Sequence, residues 1–353
     1  MKLFDGIARS ALFTLDPETA HGLSIAALKS RLVPGCRADH DPRLAVTVAG
    51  LAFPNPLGMA AGYDKNAEVA SELARLGFGF VEVGTLTPRP QSGNPKPRIF
   101  RLVKDHAVIN RLGFNNQGHA VAHARISGRH REGLLGINIG ANKDSDDRIA
   151  DYVLGLERLS AYADYLVVNV SSPNTPELRK LQEPERLARL IETLLSTNRR
   201  LALQRRTQPK PLLVKIAPDL TDAEVTEIAC LALSLGVSGL IATNTTIARP
   251  ATLRTAIEQE GGLSGKPLAQ RALEVLRLLF RAVEGKLPLI GVGGIFSAED
   301  AYARLRAGAS LVQLYTGLIY EGPFLPRRIV RGLRMRLRQN GLSHIRDAVG
   351  TDA

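Results

Sequence analysis

Asparagine and lysine residues recur in this sequence directly after short apolar segments, where parallel β-strands would end. Asn138, Asn169 and Asn244 carry amides at such positions, and an amide both donates and accepts hydrogen bonds. Because buried amides are costly unless they are bonded, this set suits a flat heterocycle with carbonyl and N–H groups. Lys65 and Lys215, also at strand ends, would stabilise negative charge on a substrate or a reduced cofactor, with a structural ion pair as the alternative for each.

Glycines follow the last two apolar segments, in Gly291-Val-Gly-Gly294 and Thr316-Gly317, and Gly265 precedes another helical segment. Glycine lets backbone N–H groups approach a phosphate, and the N-terminus of a following helix favours its charge. These segments predict a phosphate site, with tight turns that bind nothing as the alternative.

Residues for several other chemistries are missing. The two cysteines, Cys36 and Cys230, exclude a disulfide scaffold and a multi-cysteine metal or iron–sulfur site. The sequence has no HExxH, no Asp-rich triad and no Ser-His-Asp order, so we expect neither a metal centre nor a triad hydrolase. The GxGxxG fingerprint is also absent, which favours FMN held by barrel loops over a cofactor in a Rossmann domain.

Apolar segments alternate with helical patterns along most of the chain, which predicts parallel strands covered by helices. Eight strands favour an α/β fold of the closed (β/α)8 TIM-barrel type over an open sheet, and sites in such barrels lie where the strands end. The predicted strands are 56–60, 80–84, 135–139, 165–170, 212–216, 239–243, 289–292 and 311–315, after a hairpin of 44–48 and 51–53. The predicted helices include 67–76, 184–195, 222–235, 268–283 and 298–307, and 88–97 is predicted to be a long loop.

An amphipathic helical extension is predicted ahead of the barrel. Asp16-Pro17-Glu18 is typical of a helix start, and this helix would follow a first one over residues 3–12. The apolar face suits a membrane surface or packing on the main domain. No segment has the roughly 18 apolar residues of a membrane-spanning helix. We divide the chain into the extension (1–40), the barrel (41–340) and a C-terminal tail (341–353).

The formal net charge is +12, from 46 Lys and Arg residues against 34 Asp and Glu residues. Such a charge favours nucleic acid, membrane lipid or anionic small molecules as partners, unless it only solvates the surface. Single-stranded nucleic acid is disfavoured because aromatic residues make up only 5% of the chain and Trp is absent. Six arginines from Arg327 to Arg338 predict a final helix with a basic face.

Five motifs taken together resemble one enzyme family. They are Asn169-Val-Ser-Ser-Pro-Asn-Thr-Pro176, Asn110-Arg-Leu-Gly-Phe-Asn115, Ala61-Gly-Tyr-Asp-Lys65, Thr243-Asn-Thr-Thr246 and Gly261-Gly-Leu-Ser-Gly265. The chain is similar to the dihydroorotate dehydrogenases, in their class 2, quinone-dependent and membrane-associated form. The resemblance implies oxidation of (S)-dihydroorotate to orotate in pyrimidine (UMP) biosynthesis, with FMN as hydride acceptor and a membrane quinone that reoxidises it.

The resemblance also implies roles for individual residues. Ser172 would be the base that removes the C5 proton of the substrate while the C6 hydride passes to FMN; class 1 enzymes usually have Cys there. The substrate would be bound by Lys65, Asn110, Arg111, Leu112, Gly113, Phe114, Asn169, Asn174, Asn244 and Thr245. FMN would be bound by Ala61, Gly62, Tyr63, Asp64, Lys65, Thr85, Asn138, Asn169, Lys215, Thr243, Gly265, Gly294, Tyr315 and Thr316.

For the extension, the resemblance implies a helix pair that lies in the membrane surface and admits quinone to the flavin. His21 and Arg101 match positions that line this entrance. We therefore expect a peripheral protein on the cytoplasmic face of the cell membrane, with no nucleic-acid partner and no partner subunit. The absence of a transit peptide suggests a bacterial protein.

Three alternatives remain at this point. A soluble class 1 dihydroorotate dehydrogenase, using fumarate or NAD through a partner subunit, is disfavoured by Ser172 and by the extension. An RNA-modifying flavoprotein of the dihydrouridine synthase type would use the positive charge. However, it needs a catalytic Cys in the barrel mouth, whereas Cys36 precedes the barrel and Cys230 lies within a predicted helix. A non-catalytic membrane-surface module leaves the polar strand ends unexplained.

Overall fold

The computed structural model describes residues 12–35, 41–128, 132–256 and 258–353. Eight parallel strands form a closed barrel, which confirms the predicted fold. The strands, numbered along the chain, are β1 (Val46–Val48), β2 (Leu51–Phe53), β3 (Leu57–Met59), β4 (Phe80–Leu86), β5 (Ile99–Leu102), β6 (Ala107–Asn110), β7 (Leu134–Ile139), β8 (Tyr165–Asn169), β9 (Leu212–Ile216), β10 (Gly239–Ala242), β11 (Gly262–Gly265), β12 (Leu289–Val292) and β13 (Leu311–Leu314). Around the barrel the order is β3, β4, β7, β8, β9, β10, β12, β13.

Helices cover the outside of the barrel, so its strands are buried on both faces and their sequences are mainly apolar, with single polar residues such as Glu82 on β4 and Lys215 on β9. The α-helices are α1 (Pro17–Lys29), α2 (Ala70–Ala74), α3 (Gly118–Ser127), α4 (Arg148–Leu159), α5 (Pro184–Arg205), α6 (Asp222–Leu235), α7 (Ala269–Ala282), α8 (Ala298–Arg306), α9 (Thr316–Glu321) and α10 (Leu325–Gln339). Short 3₁₀ helices occur at Pro42–Leu44, Val103–Asp105, Leu178–Gln182, Lys266–Leu268 and Ile345–Ala348.

Two predicted helices differ in length from the observed ones. The predicted helix at 184–195 continues to Arg205, because Asn198 is not a turn residue but a buried one that exchanges two hydrogen bonds with the backbone of Lys210. The predicted helix at 67–76 is shorter, since Ala67 has a left-handed φ of 56° and the Asp64 carboxylate accepts hydrogen bonds from the following turn.

A second, antiparallel sheet of β5, β6 and β11 was not predicted from the sequence. Its central strand β6 pairs with β5 and also with β11, where Asn110 lies opposite Gly262. The partner strand is about 150 residues away in the chain, so no local pattern could indicate the pairing. This sheet positions the Asn110 end of β6 next to the ends of the barrel strands.

Helix α1 begins as the sequence predicts. The Asp16 carboxylate accepts hydrogen bonds from the backbone N–H groups of Glu18 and Thr19, at 3.1 and 2.9 Å, and Pro17 opens the first turn. Of the first helix, predicted over residues 3–12, residues 3–11 lie outside the described residues. Within the described ranges, none of the helices is long and apolar enough to cross a membrane.

Charged contacts attach the extension to β5 and to the residue before it. Glu18 forms an ion pair with Arg98 at 2.6 Å, and Arg101 donates hydrogen bonds to the carbonyl oxygens of Leu12 and Leu15. On the opposite side of the extension, Leu23 is 48% exposed and Leu32 is 77% exposed. The extension therefore packs on the barrel with one face and leaves leucines on the other.

The arginine-rich final helix is α10, and its apolar face packs into the barrel core through Ile329 and Leu333. Some of its arginines form ion pairs, such as Arg328 with Glu321. The segment 341–353, which we set apart as a tail, packs on the barrel: Ile345 is buried in the same core.

Candidate active site

A cavity of about 450 Å³ opens where the barrel strands end and extends outwards to α1. All predicted site residues line this cavity except Asp64, Arg111 and Asn138. The structure thus brings together side chains from the ends of the barrel strands, from the loop after β6 and from the extension. Most of the lining at the outer end is apolar, with Phe13 and Leu28 among it.

Asn244, Asn169 and Asn138 belong to one continuous hydrogen-bonded chain, whereas Asn174 and Asn110 bond to each other. Asn244 donates to the Asn169 side-chain oxygen at 3.4 Å, and Asn169 donates to Thr85 Oγ1 at 2.8 Å. Thr85 donates to Asn138 Oδ1 at 2.6 Å, and Asn138 donates to Glu82 at 2.8 Å. Asn138 therefore lies one layer below the cavity, where it orients Thr85 and Asn169 without facing the cavity itself.

Glu82 is the last acceptor of this hydrogen-bonded chain, and it was not predicted from the sequence. Its carboxylate is fully buried in the barrel and also accepts a hydrogen bond from Gln313 Nε2 at 2.7 Å. An acidic residue within the apolar segment Phe80-Val81-Glu82-Val83 was the signal that could have revealed it, since a buried carboxylate needs partners.

Two lysines face the cavity without hydrogen-bond partners among the described residues. Lys215 is 5% exposed, and burial lowers the pKa of its ammonium, while the charge of Glu82 opposes this shift. Burial also lowers the pKa of Lys65, to about 8, against the charge of Glu18. A buried, unpaired ammonium group is expensive, so both positions suit a ligand with negative charge.

Ser172 lies in the loop after β8, almost fully buried at the cavity wall. Its hydroxyl accepts a hydrogen bond from the backbone N–H of Asn174 at 3.3 Å. The Asn174 side chain donates to Asn110 Oδ1 at 3.1 Å, which joins this loop to the second sheet. Ser172, Asn174 and Asn110 therefore lie on one side of the same cavity.

Asp64 and Arg111 have structural partners instead of facing the cavity. Asp64 binds the backbone N–H groups of Glu68 and Val69, each at 2.8 Å, and so fixes the turn that carries Lys65. The Arg111 guanidinium points to Gln259, at 2.8 Å, and lies over the ring of Phe100. Direct contact of these two side chains with a ligand has no support in this arrangement.

Glycines shape the side of the cavity near β11 and β12. Gly265 has a φ of 99° and Gly294 a φ of 67°, which are left-handed values that favour glycine. A Cβ atom on Gly294 would lie 2.4 Å from Ala269 Cβ, and one on Gly265 would lie 2.3 Å from the His106 carbonyl oxygen. Close packing thus requires glycine at both positions and leaves their backbone at the cavity wall.

His21 and Arg101 lie at the outer, apolar end of the cavity. The His21 ring packs edge-on against Tyr63, and burial lowers its pKa to about 3, with the nearby Lys65 charge adding to the effect. His21 is therefore neutral at physiological pH. Arg101 lies over the Phe13 ring at 4.8 Å, so it keeps a cation beside an apolar wall.

A sequence model of the family described as dihydroorotate dehydrogenase matches residues 43–337. The chain belongs to the dihydroorotate dehydrogenase family. It is 56% identical over 347 residues to the Agrobacterium fabrum protein named dihydroorotate dehydrogenase (quinone), covering 98% of this chain and 95% of the relative. It is also 56% identical over 345 residues to the Brucella ovis protein of the same name, covering 97% and 94%.

Solved structures agree with this membership. The structure of DHODH from Eimeria tenella in complex with ferulenol has a TM-score of 0.91 at 44% identity, covering 96% of both chains. A ligand-free form from the same organism has a TM-score of 0.91 at 45% identity, covering 96% of this chain and 99% of that one. The resemblance drawn from the five motifs is confirmed, and the relatives carry the name of the quinone-dependent form.

Proposed function

We propose that this protein oxidises (S)-dihydroorotate to orotate with FMN as the hydride acceptor and passes the electrons to a membrane quinone. The observation that carries the proposal is a single cavity lined by Ser172, by Asn169 and Asn244 of the asparagine chain, and by two lysines that have no hydrogen-bond partner among the described residues. The motifs that gave the family resemblance are the ones that line it.

The residues present fit FMN. Gly265 and Gly294 bring main chain without side chains to the cavity wall, against which a phosphate would lie, and Lys215 supplies a cation without a hydrogen-bond partner among the described residues. When bound, FMN would accept the hydride from C6 of the substrate. The role of Lys215 is to keep positive charge beside the reduced ring, and the role of Thr85 and Asn169 is to orient its polar edge.

Substrate binding is assigned to the side of the cavity that contains Lys65, Asn110, Asn174 and Asn244. The Lys65 ammonium would pair with the substrate carboxylate, which gives this cation a partner that the described residues do not supply. The three amides would hold the ring carbonyl and N–H groups, since each amide supplies both donor and acceptor.

Ser172 would remove the C5 proton. A free serine hydroxyl is a weak base, so its surroundings must help. As Oγ accepts the C5 proton, the hydroxyl proton of Ser172 would pass to water, and the backbone N–H of Asn174, which donates to Oγ, would stabilise the partial negative charge on Oγ as that hydroxyl proton leaves.

The apolar end of the cavity is assigned to the quinone. A long apolar tail fits between α1 and the second sheet, past His21 and Arg101, because this part of the lining is mostly apolar. The exposed Leu23 and Leu32 and the basic surface suit peripheral contact with an anionic membrane. We assign the protein to the cytoplasmic face of the cell membrane.

The deciding experiment follows the flavin absorbance under anaerobic conditions. The purified protein should be yellow, should lose its absorbance when dihydroorotate is added, and should regain it with a quinone but not with NAD. A colourless preparation, or a yellow one that dihydroorotate does not bleach, would contradict the proposal.

A further inference from the structure

Arg304 is a buried cation directly behind the Gly293–Gly294 turn. It lies on α8 with 3% of its surface exposed. Among the described residues it has no ion pair with a carboxylate, and burial lowers the pKa of its guanidinium to about 10. Burial of a charge without a carboxylate partner is costly, so we expect the Arg304 charge to have a role at this turn that offsets the cost.

The guanidinium binds three backbone carbonyl groups. Nη1 donates to the Asp300 oxygen at 3.0 Å, and Nη2 donates to the oxygens of Gly293 and, at 3.3 Å, Ala269. Nε is buried and has no hydrogen-bond partner in the described part of the chain. Arg304 thus links the turn after β12 with the first residue of α7 and the first turn of α8.

The bond to Gly293 fixes the direction of the next N–H group. The peptide between Gly293 and Gly294 is trans, so its N–H points away from its C=O and hence away from Arg304. Gly294 lines the cavity, and it packs so closely on the start of α7 that a Cβ atom there would lie 2.4 Å from Ala269 Cβ. A cation on the carbonyl polarises the peptide and makes the Gly294 N–H a stronger donor.

We propose that Arg304 is a positioning residue for the phosphate of the cofactor: it directs and polarises the Gly293–Gly294 peptide and adds positive charge that solvent does not screen. The inference rests on the proposed function, since the phosphate is that of FMN. It predicts that Arg304 matters for FMN, which carries a phosphate dianion, and hardly at all for riboflavin, which has none.

The test compares the dissociation constants of the full-length protein and its variants for FMN and for riboflavin. The protein is loaded with FMN, or with riboflavin by exchange, and diluted, and the fluorescence of the released flavin gives each constant. Arg304→Gln keeps amide donors for the carbonyl groups but removes the charge, whereas Arg304→Lys keeps the charge. Arg306→Gln on the same helix is the matched control, because Arg306 is partly exposed and pairs with Asp352.

In Arg304→Gln we expect the dissociation constant for FMN to rise by about tenfold or more, as for loss of a charge-assisted contact in a low-dielectric site. The constant for riboflavin should change by less than about twofold on the same argument, because it has no phosphate charge. Arg304→Lys should keep most of the preference for FMN, and Arg306→Gln should behave like the unmodified protein.

Equal weakening of FMN and riboflavin binding would overturn the inference, because it would show only structural support of the turn. Unchanged FMN affinity in folded Arg304→Gln would overturn it too. If that variant does not fold, Arg304→Lys decides, since loss of the FMN preference in the folded lysine variant contradicts a role of the charge. An unmodified protein that binds no flavin would instead contradict the proposed function, before any variant is compared.

Discussion

At the scale of single residues, the site combines one hydroxyl with two cations that the protein leaves unpaired. Ser172 is held by a backbone N–H group, whereas Lys65 and Lys215 have no hydrogen-bond partners among the described residues. The two lysines can therefore bind a ligand without first breaking a hydrogen bond to the described part of the protein.

The first prediction concerns Ser172. Ser172→Ala should keep FMN and bind orotate, yet reduce the flavin about 10²–10⁴-fold more slowly, as is typical for loss of a general base. Stopped-flow absorbance with dihydroorotate measures this, with Ser172→Cys expected to recover part of the rate. If Ser172→Ala reduces the flavin as fast as the unmodified protein, Ser172 is not the base.

The second prediction concerns the charge of Lys65. Burial holds its pKa at about 8 in the free protein, so the ammonium form predominates below that pH and the neutral amine predominates above it. Orotate affinity should therefore be greatest below about pH 8 and fall by up to about tenfold per unit as the pH rises further. Titrations from pH 6 to 9.5 measure this. Lys65→Arg should show a flatter profile because arginine stays protonated, and a flat profile in the unmodified protein would contradict the assignment.

At the scale of elements, α1 closes the outer end of the cavity but contributes little to the barrel core. Its buried residues are Ala20 and Leu28, and its main polar contact is the ion pair of Glu18 with Arg98. Arg98 also donates to the carbonyl oxygens of Ser92 and Asn94, so it keeps partners without α1. The barrel closes its own hydrogen bonds through its eight strands.

The third prediction is that deletion of residues 1–40 leaves a folded, yellow barrel that dihydroorotate still reduces. It should lose fast reoxidation by long-tailed quinones and binding to anionic vesicles, while a water-soluble quinone still reoxidises it. Equal turnover of long-tailed quinone in both forms would mean that α1 is only a packing element.

A matched pair of variants separates membrane contact from quinone access. Leu32→Ser should reduce the fraction of protein that co-sediments with anionic vesicles, because Leu32 is 77% exposed on the extension. The rate of flavin reoxidation by a water-soluble quinone should stay unchanged. The control is Leu203→Ser, because Leu203 is 80% exposed but lies on α5 of the barrel. This variant should leave both vesicle binding and quinone reoxidation unchanged. Added salt should weaken vesicle binding in part, since screening reduces attraction to anionic lipid and leaves apolar contact.

At the scale of the whole molecule, one buried polar network joins the floor of the barrel to the site. Glu82 on β4 binds Asn138 on β7 and Gln313 on β13, so it connects strands from both sides of its own. The same network continues through Thr85 to Asn169. Fold stability and the orientation of the site therefore depend on the same carboxylate.

The fourth prediction follows from this network. Glu82→Gln should leave at least one buried amide donor unsatisfied, at a cost of about 1–3 kcal/mol, and lower the melting temperature by several degrees. The control is Glu284→Gln, the same change at an exposed position paired with Lys286, which should shift stability by less than about 0.5 kcal/mol. Scanning calorimetry of both FMN-saturated variants at one scan rate makes the comparison, and equal melting temperatures would argue against the network.

Local sequence patterns were sufficient for the barrel and for most of the site. Strands such as β9 and β12 begin and end as predicted, because parallel strands covered on both faces are mainly apolar and are bounded by polar loops. The position of Ser172, Lys65 and Lys215 in one cavity follows from that topology, since the carboxyl ends of all eight strands meet at one face.

What the sequence alone determined was therefore the barrel, its strand ends, the start of α1 and the family. Only the tertiary structure decided which strand-end residues face the cavity: Asn138 turns down to Glu82, Asp64 binds its own turn, and Arg111 turns away. It also decided the second sheet and the place of Arg304 behind the glycine turn. The physical reason is that side-chain direction and charge burial depend on partners distant in the chain, which local periodicity does not encode.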